Sequence, residues 1–244
     1  MSNADMVTSL IPSKSTSFFK GFFLLPKLKE YQEKRVAIQR LIEESHADLD
    51  YFILLILATI IITIGLVQDN TSIVIGGMLI APLLSSVLAF GLSFVTYNLM
   101  SIVRSFWTIF RSLLIAMFVS FVVAKFIEIP DPYNSEIVSR LNPTWVYVHF
   151  ALVSGFAATY SWAKPKLSET LPGVAVAVAL LPPICVMGIA LGIEDQLMLK
   201  GAFSTFIVNF SGIVIAAILT FTILRFDKLK TVEALKVQEE AASA

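Results

Sequence analysis

Apolar and polar positions alternate along this chain on the scale of whole helices rather than residue by residue. Six apolar stretches, near 51–67, 72–97, 106–127, 144–162, 171–193 and 201–224, stand between shorter polar connections. Each reaches the ~17–25 residues that a helix needs to cross about 30 Å of hydrocarbon. A spanning barrel would show short alternating strands instead. The pattern predicts an all-α, polytopic membrane protein with six transmembrane helices. It divides the chain into an N-terminal arm (1–50), a first three-helix repeat (51–127), a loop (128–143), a second three-helix repeat (144–224) and a tail (225–244).

The arm carries two signals of its own. Phe18, Phe19, Phe22, Phe23, Leu24 and Leu25 around Lys20 form a segment too short to span but suited to an interfacial anchor. Over 27–50, Leu28, Tyr31, Ile38, Ile42 and Leu49 share a helical stripe, and Glu30 with Lys34 makes an i,i+4 pair. Arg35 and Ser45 interrupt the stripe, so a bundle-packed or membrane-lying helix is expected rather than one that drives oligomerisation by itself. Ser45-His46-Ala47-Asp48 matches a capping box and starts the first membrane helix there, with His46 as a cap-region residue. The loop over 128–143 holds Pro130, Pro132 and Pro143 and is expected to be ordered and rich in turns.

Composition agrees: 57% of the 244 residues are hydrophobic and 15% charged, with mean hydropathy +0.81, against about a quarter charged in soluble domains. Eighteen basic residues balance eighteen acidic ones, so no bulk field points to nucleic acid. Their placement is uneven. Lys14, Lys20, Lys27, Lys29, Lys34, Arg35, Arg40, Arg104, Arg111, Lys164, Lys166, Arg225, Lys228, Lys230 and Lys236 fall on one side of the six spans, and only Lys125, Arg140 and Lys200 on the other. The positive-inside rule then puts both termini in the cytoplasm. Residues 1–17 are polar and Ser-rich, unlike a removable signal peptide, so the first apolar stretch is expected to do its own targeting.

The second and fifth stretches are interrupted. Pro82 and the pair Pro182-Pro183 fall near the middle of apolar runs, where proline removes an intrahelical hydrogen bond and clashes with the preceding turn. Sliding the chain by 101 residues superposes Pro82 on Pro183 and Gly91 on Gly192, with Leu79/Leu180 and Ala89/Ala190 as further identities. A three-span unit repeated in tandem enters the membrane with opposite orientation. The expected architecture is therefore two inverted three-helix repeats with proline-broken second and fifth helices, a pattern that points to a midplane site. Ser85, Ser86 and Cys185 lie just after the breaks, and Asn209, with four hydrogen-bonding positions to satisfy, lies in the sixth stretch. The candidate substrate-binding set is Pro82, Ser85, Ser86, Pro182, Pro183, Cys185 and Asn209. The competing account is packing: Gly77/Ala81, Ala81/Ser85, Gly173/Ala177, Gly188/Gly192 and Ala151/Gly155/Thr159 let helices approach closely, and Asn209 can serve as an interhelical strut.

No Asp, Glu, Lys or Arg falls near the middle of any stretch, which argues against a carboxylate proton relay. Asp69, Glu194 and Asp195 sit at helix ends, where capping is the common role and cation attraction the rarer one. No HExxH, paired intramembrane aspartates, serine with a membrane base or phosphate-cradling loop occurs, so an enzyme is not expected. His149, beside Trp145 and Tyr147, reads as interfacial or packing. One cysteine and two histidines cannot build the usual four-ligand zinc site, so neither metal nor other cofactor is expected.

Two runs carry a resemblance. Ile75-Gly76-Gly77-Met78-Leu79-Ile80-Ala81-Pro82-Leu83 after Asp69-Asn70 is the first. Leu171-Pro172-Gly173-Val174-Ala175-Val176-Ala177 through Leu181-Pro182-Pro183 to Gly188 is the second, with Asn209 beyond it. Together they resemble the prokaryotic hydrophobic membrane family known as domain of unknown function 389, over about 55–219. The resemblance implies a fold and a prokaryotic inner-membrane location rather than an activity. Here Ser85 and Ser86 stand where the family tends to continue with glycine and a second proline, which predicts a gentler first break than second. Many relatives also look to carry a folded soluble domain, where this chain shows a short arm and tail.

The leading expectation is a transporter or channel for a small solute or ion, with the lipid bilayer as its required partner and a homo-oligomer compatible with it. Its rival is a non-transporting scaffold or stress-response component that recruits a cytoplasmic partner. A water-accessible polar cavity where the two breaks meet favours the first; a dry, tightly packed midplane favours the second.

Overall fold

The computed structural model describes residues 18–164 and 172–229, with side chains over 31–164 and 180–229 apart from Lys228. The Phe-rich anchor side chains, the Gly173/Ala177 pair, Lys14, Lys166 and the tail beyond Leu229 lie outside the described residues. Every element among the described residues is helical: α1 (Phe18–Glu44), α2 (Leu49–Val67), α3 (Thr71–Ile80), α4 (Leu83–Thr96), α5 (Leu99–Phe126), α6 (Ser135–Val138), α7 (Trp145–Ala163), α8 (Pro172–Gly192), α9 (Gln196–Ile223) and a 3-10 turn at Phe226–Leu229. Three of them, α2, α5 and α9, are long and apolar enough to cross a membrane, and α3 with α4 makes a fourth if the bent pair counts as one span.

Three reversals share one local device. Asp69, Tyr97 and Glu194 adopt left-handed φ values of 50°, 55° and 61°. The next residue in each case, Asn70, Asn98 or Asp195, turns its side chain onto N–H groups of the following helix as N-cap. Its own N–H reaches back five residues, to the carbonyls of Gly65, Ser93 and Ala190 at 2.9, 3.1 and 2.9 Å. Helix end and helix start are thus satisfied within a few residues. These caps, rather than the apolar runs, set the boundaries: α5 begins seven residues before 106 and α9 five before 201. The capping box needs a similar correction. Asp48 caps α2, accepting from Tyr51 N at 2.8 Å, whereas the Ser45 hydroxyl donates to Ile42 O and closes α1.

Of the two breaks expected at proline the structure shows one, and it is the one expected to be gentler. At Pro82 the helix breaks, and α3 and α4 meet at 56°. Ala81 takes the extended φ/ψ of −68°/122° that a residue before proline prefers. Pro182 and Pro183, predicted to make the sharper break, lie inside continuous α8. The reason is enclosure. α8 packs against α2, α3, α4, α5, α7 and α9, and every residue from 180 to 190 is buried, so its neighbours hold a backbone that has lost two N–H donors. Around the first break Leu79 is 59% exposed and Ile80 39%, so nothing presses the chain back into register.

α8 approaches α5 most closely at Gly188. A Cβ there would stand 2.5 Å from Met117 O and 2.5 Å from Ser120 Cβ. At one end of the bundle, hereafter the α1 end, α1 packs on α4 and α7. Its buried face is Ala37, Ile38, Leu41 and Ile42, while Tyr31 and Leu49, read as part of the stripe, are exposed. Arg40 stacks over Trp162 at 5.1 Å and pairs with Glu44 at 2.7 Å.

At the far end the loop before α7 is ordered, as its prolines suggested. Asn134 Nδ2 donates to Leu66 O at 2.8 Å. Asp69 accepts from the Ser135 hydroxyl at 2.8 Å and Glu136 N at 2.9 Å, and Tyr133 donates to Asp195. The Glu136 N–H, then the Ser135 hydroxyl, hold the Asp69 carboxyl below the usual carboxylate range. Met198 N–H, then Tyr133, do the same for Asp195, and the Asp195 partner raises the Tyr133 phenol.

Two outcomes follow. Gly188→Ala should cost about 1–3 kcal/mol in thermal unfolding of the detergent-solubilised protein, because backbone stands in the way. Gly76→Ala, with nothing within 4 Å of the added carbon, should be neutral or better; equal effects would refute the close contact. Carboxyls with lowered folded pKa stabilise fully above their unfolded value of about 3.9 and stop as pH falls through the folded value. The melting temperature should therefore drop on acidification below about pH 4, and Asp69→Asn with Asp195→Asn should flatten that branch. An unchanged acid branch in the double variant would contradict it.

Candidate functional site

α7 and α9 run in the same direction, and their contacts fix their stagger. A Cβ on Gly212 would meet Ala151 at 2.8 Å, and one on Gly155 would meet Ala216 at 2.9 Å. Residue 151 is the seventh of α7 and residue 212 the seventeenth of α9. α7 thus begins ten residues, about 15 Å, further into the bundle than α9. The chain before it descends along α9, where Leu141 O stands 2.6 Å from the position of a Cβ on Gly201. The stagger leaves a cavity of about 390 Å³ under the loop.

Ser139 and Arg140 line this cavity from the loop, Val146, Tyr147 and Phe150 from α7, Pro183 from α8, and Thr205 and Asn209 from α9. Most hydroxyl protons in it are already committed. Tyr147 donates to Ser139 O at 2.7 Å, Ser139 to Glu136 O at 2.9 Å and Thr205 to Gly201 O at 3.2 Å. Arg140 pairs with Glu136 at 2.8 Å, the two side chains only 15% and 12% exposed. It also donates to Ser139 Oγ at 2.9 Å and to Glu136 O. Glu136 accepts from Thr71 with its other oxygen and does not line the cavity.

Of the predicted residues, Pro183 and Asn209 meet here, with Pro182 buried next to them in α8. The others belong to dry clasps elsewhere. Ser86 donates to Tyr51 Oη at 3.2 Å, which meets Ser112 Oγ at 3.0 Å, tying α4, α2 and α5 together. Ser85 donates to Glu44 O at 2.8 Å and Pro82 O at 2.9 Å, fastening the first break to the end of α1. Cys185 is fully buried, and its carbonyl accepts from Ser120 at 2.7 Å, with Thr63 donating to Ser120 at 3.0 Å. The cavity therefore stands at the second proline site alone, and its lining includes neither Pro82 nor the residues just after it.

Arg140, Tyr147 and Thr205 were absent from the predicted set. In the sequence Arg140 is one of three basic residues on the far side of the six predicted spans, a marker of topology. Its available signal was Glu136 one helical turn earlier, in a loop that returns to an apolar run.

An uncharacterised protein of Methanocaldococcus jannaschii is 28% identical over 213 residues, covering 84% of this chain and 66% of the relative. The chain thus spans just under two thirds of the length of that curated relative. No solved structure matches it with significance. The family described as domain of unknown function (DUF389) matches residues 78–215. That match covers more than half of the chain and includes Pro82, Pro183 and Asn209, so the chain belongs to the DUF389 family.

Proposed function

We propose that the protein carries a small solute or ion across a prokaryotic inner membrane, as a transporter or channel built from six spans in two inverted three-helix halves. The cavity at Pro183 and Asn209 carries this reading: it is a half-open space of about 390 Å³ with mostly apolar walls, into which Arg140, Tyr147, Thr205 and Asn209 bring polar groups. Asn209, fourteenth in α9, lies about 20 Å from its start. Arg140 brings a charge to the site from the loop before α7.

Three observations support the span count and symmetry. α3 rises about 15 Å and α4 about 21 Å; inclined at 56°, together they advance about 27 Å along α3, close to one hydrocarbon thickness of about 30 Å. The middle helices exchange partners between halves: Gly91 of α4 faces Ala217 of α9, and Gly192 of α8 faces Ala124 of α5. Fifteen basic residues on one side of the six sequence-predicted spans against three on the other support cytoplasmic termini under the positive-inside rule. The scaffold reading draws on α1, where Tyr31 and Val36 stay exposed at 44% and 51% beside the docked face.

Reconstitution of the full chain into vesicles separates the two. Osmotic swelling in a panel of small neutral, anionic and cationic solutes should show protein-dependent flux, falling at least tenfold in Asn209→Leu. No protein-dependent flux for any solute would end the transport reading and favour the scaffold.

A further inference from the structure

We propose that the clasp of Tyr51, Ser86 and Ser112 is the closed counterpart of the cavity at Tyr147, Pro183 and Asn209, and gates the solute path on the α1 side. This rests on the transport reading with its two inverted halves and adds where the path is shut. The likeness of the halves is the first argument. A Cβ on Gly91 would meet Ala217 Cβ, Ile218 N and Val214 O, and one on Gly188 would meet Ser120 Cβ, Phe121 N and Met117 O. Between these two sets of contacts every matching pair of residue numbers differs by 97, rather than by the 101 that superposes the prolines. The left-handed residues Tyr97 and Glu194 keep the same spacing, as do α5 and α9, each 28 residues long.

That register gives the cavity residues their partners. Asn209 and Ser112 are each fourteenth in their helix, and Thr205 and Thr108 each tenth. Pro183 stands 97 residues after Ser86. α7 and α2 are both 19 residues long, with Tyr147 and Tyr51 each third. The counterparts of four lining residues thus meet in one place, as a chain of donors. Ser86 donates to Tyr51 Oη at 3.2 Å, Tyr51 Oη meets Ser112 Oγ at 3.0 Å, and the Ser112 hydroxyl donates to Thr108 O at 2.8 Å.

The two sets differ in where the tyrosine spends its proton. Tyr51 gives it to Ser112, and all three clasp side chains are buried. Tyr147 gives it to Ser139 O of the loop at 2.7 Å, and its site stands open at about 390 Å³. One turn before Ser112 a space of about 20 Å³ lies between Ile42, Ser45, Ser105 and Thr108, room for about one water. α2 leads away from α1 whereas α7 ends against it, with Trp162 under Arg40, so the two sites face opposite ends of the bundle. The loop before α7 covers the cavity; the last turn of α1, before α2, lies over the clasp, where Ser85 bonds Glu44 O at 2.8 Å. Alternating access in inverted halves exchanges their shapes around the site. The clasp then opens towards α1 as the cavity shuts.

Cys185, the single cysteine, provides a reporter. It is fully buried, and its carbonyl accepts from Ser120, about two turns beyond Ser112 along α5. A charged, membrane-impermeant methanethiosulfonate should modify it slowly in the full chain, in membrane vesicles of either orientation. Tyr51→Phe removes both bonds of the phenol. It should speed modification at least tenfold when the reagent meets the α1 side and leave the rate from the far side unchanged. Ser112→Ala should act in the same direction, and decides the matter should Tyr51→Phe fail to fold. Tyr160→Phe, exposed on α7, should change neither rate. Unchanged rates in both clasp variants, or equal acceleration from the two sides, would overturn the proposal. Acceleration from the α1 side alone, without vesicle flux, upholds the opening and ends the transport reading. Flux with unchanged Cys185 rates ends the gate and keeps transport.

Discussion

Everything in this bundle is arranged around a helix whose own backbone is defective. In hydrocarbon, apolar side chains gain little by leaving lipid for one another, so helices associate through close packing and hydrogen bonds. α8 has two adjacent residues without N–H groups and stays one continuous helix among six surrounding elements. At Gly188 the helix comes so close to α5 that a Cβ would stand 2.5 Å from Met117 O. Just below it the Ser120 hydroxyl bonds the Cys185 carbonyl, and Thr63 of α2 bonds Ser120. One glycine and two hydroxyls thus fix the spacing of α2, α5 and α8.

The same argument explains why the other proline behaves differently. Pro82 stands where one flank faces lipid, so the chain follows its local preference, and the angle that results lets α4 run across to Tyr51 and α9. Strength of the local signal does not decide the outcome; the number of neighbours does. Stagger is the second consequence. Because α7 starts well inside the bundle, the preceding loop has to follow it inward, and a charged residue travels with it into a place the hydropathy pattern reserves for apolar ones.

The positions of α2, α5, α7 and α9 were legible in the sequence as apolar runs, whereas Phe18–Glu44, read as a short anchor followed by a separate helix over 27–50, is one helix that ends at Glu44. Caps such as Asn98 and Asp195 were equally readable, and using them would have placed the starts of α5 and α9 correctly. Asn209 and Pro183 were legible as unusual residues at depth, and they share one cavity. Ser85, Ser86 and Cys185 are close to a proline along the chain, yet side chains one or two positions apart on a helix face different neighbours. Arg140 was illegible for a different reason: its depth is set by the register of α7 against α9, a property of two distant glycine contacts that no local pattern encodes.

Ser85 has one proton and two carbonyls to share it between, one belonging to the break at Pro82 and one to the last turn of α1. The bond to Pro82 O lies within the break, and the bond to Glu44 O is the one that crosses to α1. The apolar face of α1 adds Ile38, Leu41 and Ile42, each contributing about 1.5–3 kcal/mol when taken out of water. α1 is thereby fastened in three ways at once: an apolar face, the Arg40 guanidinium over Trp162, and a serine that ties its last turn to the bent helix beneath.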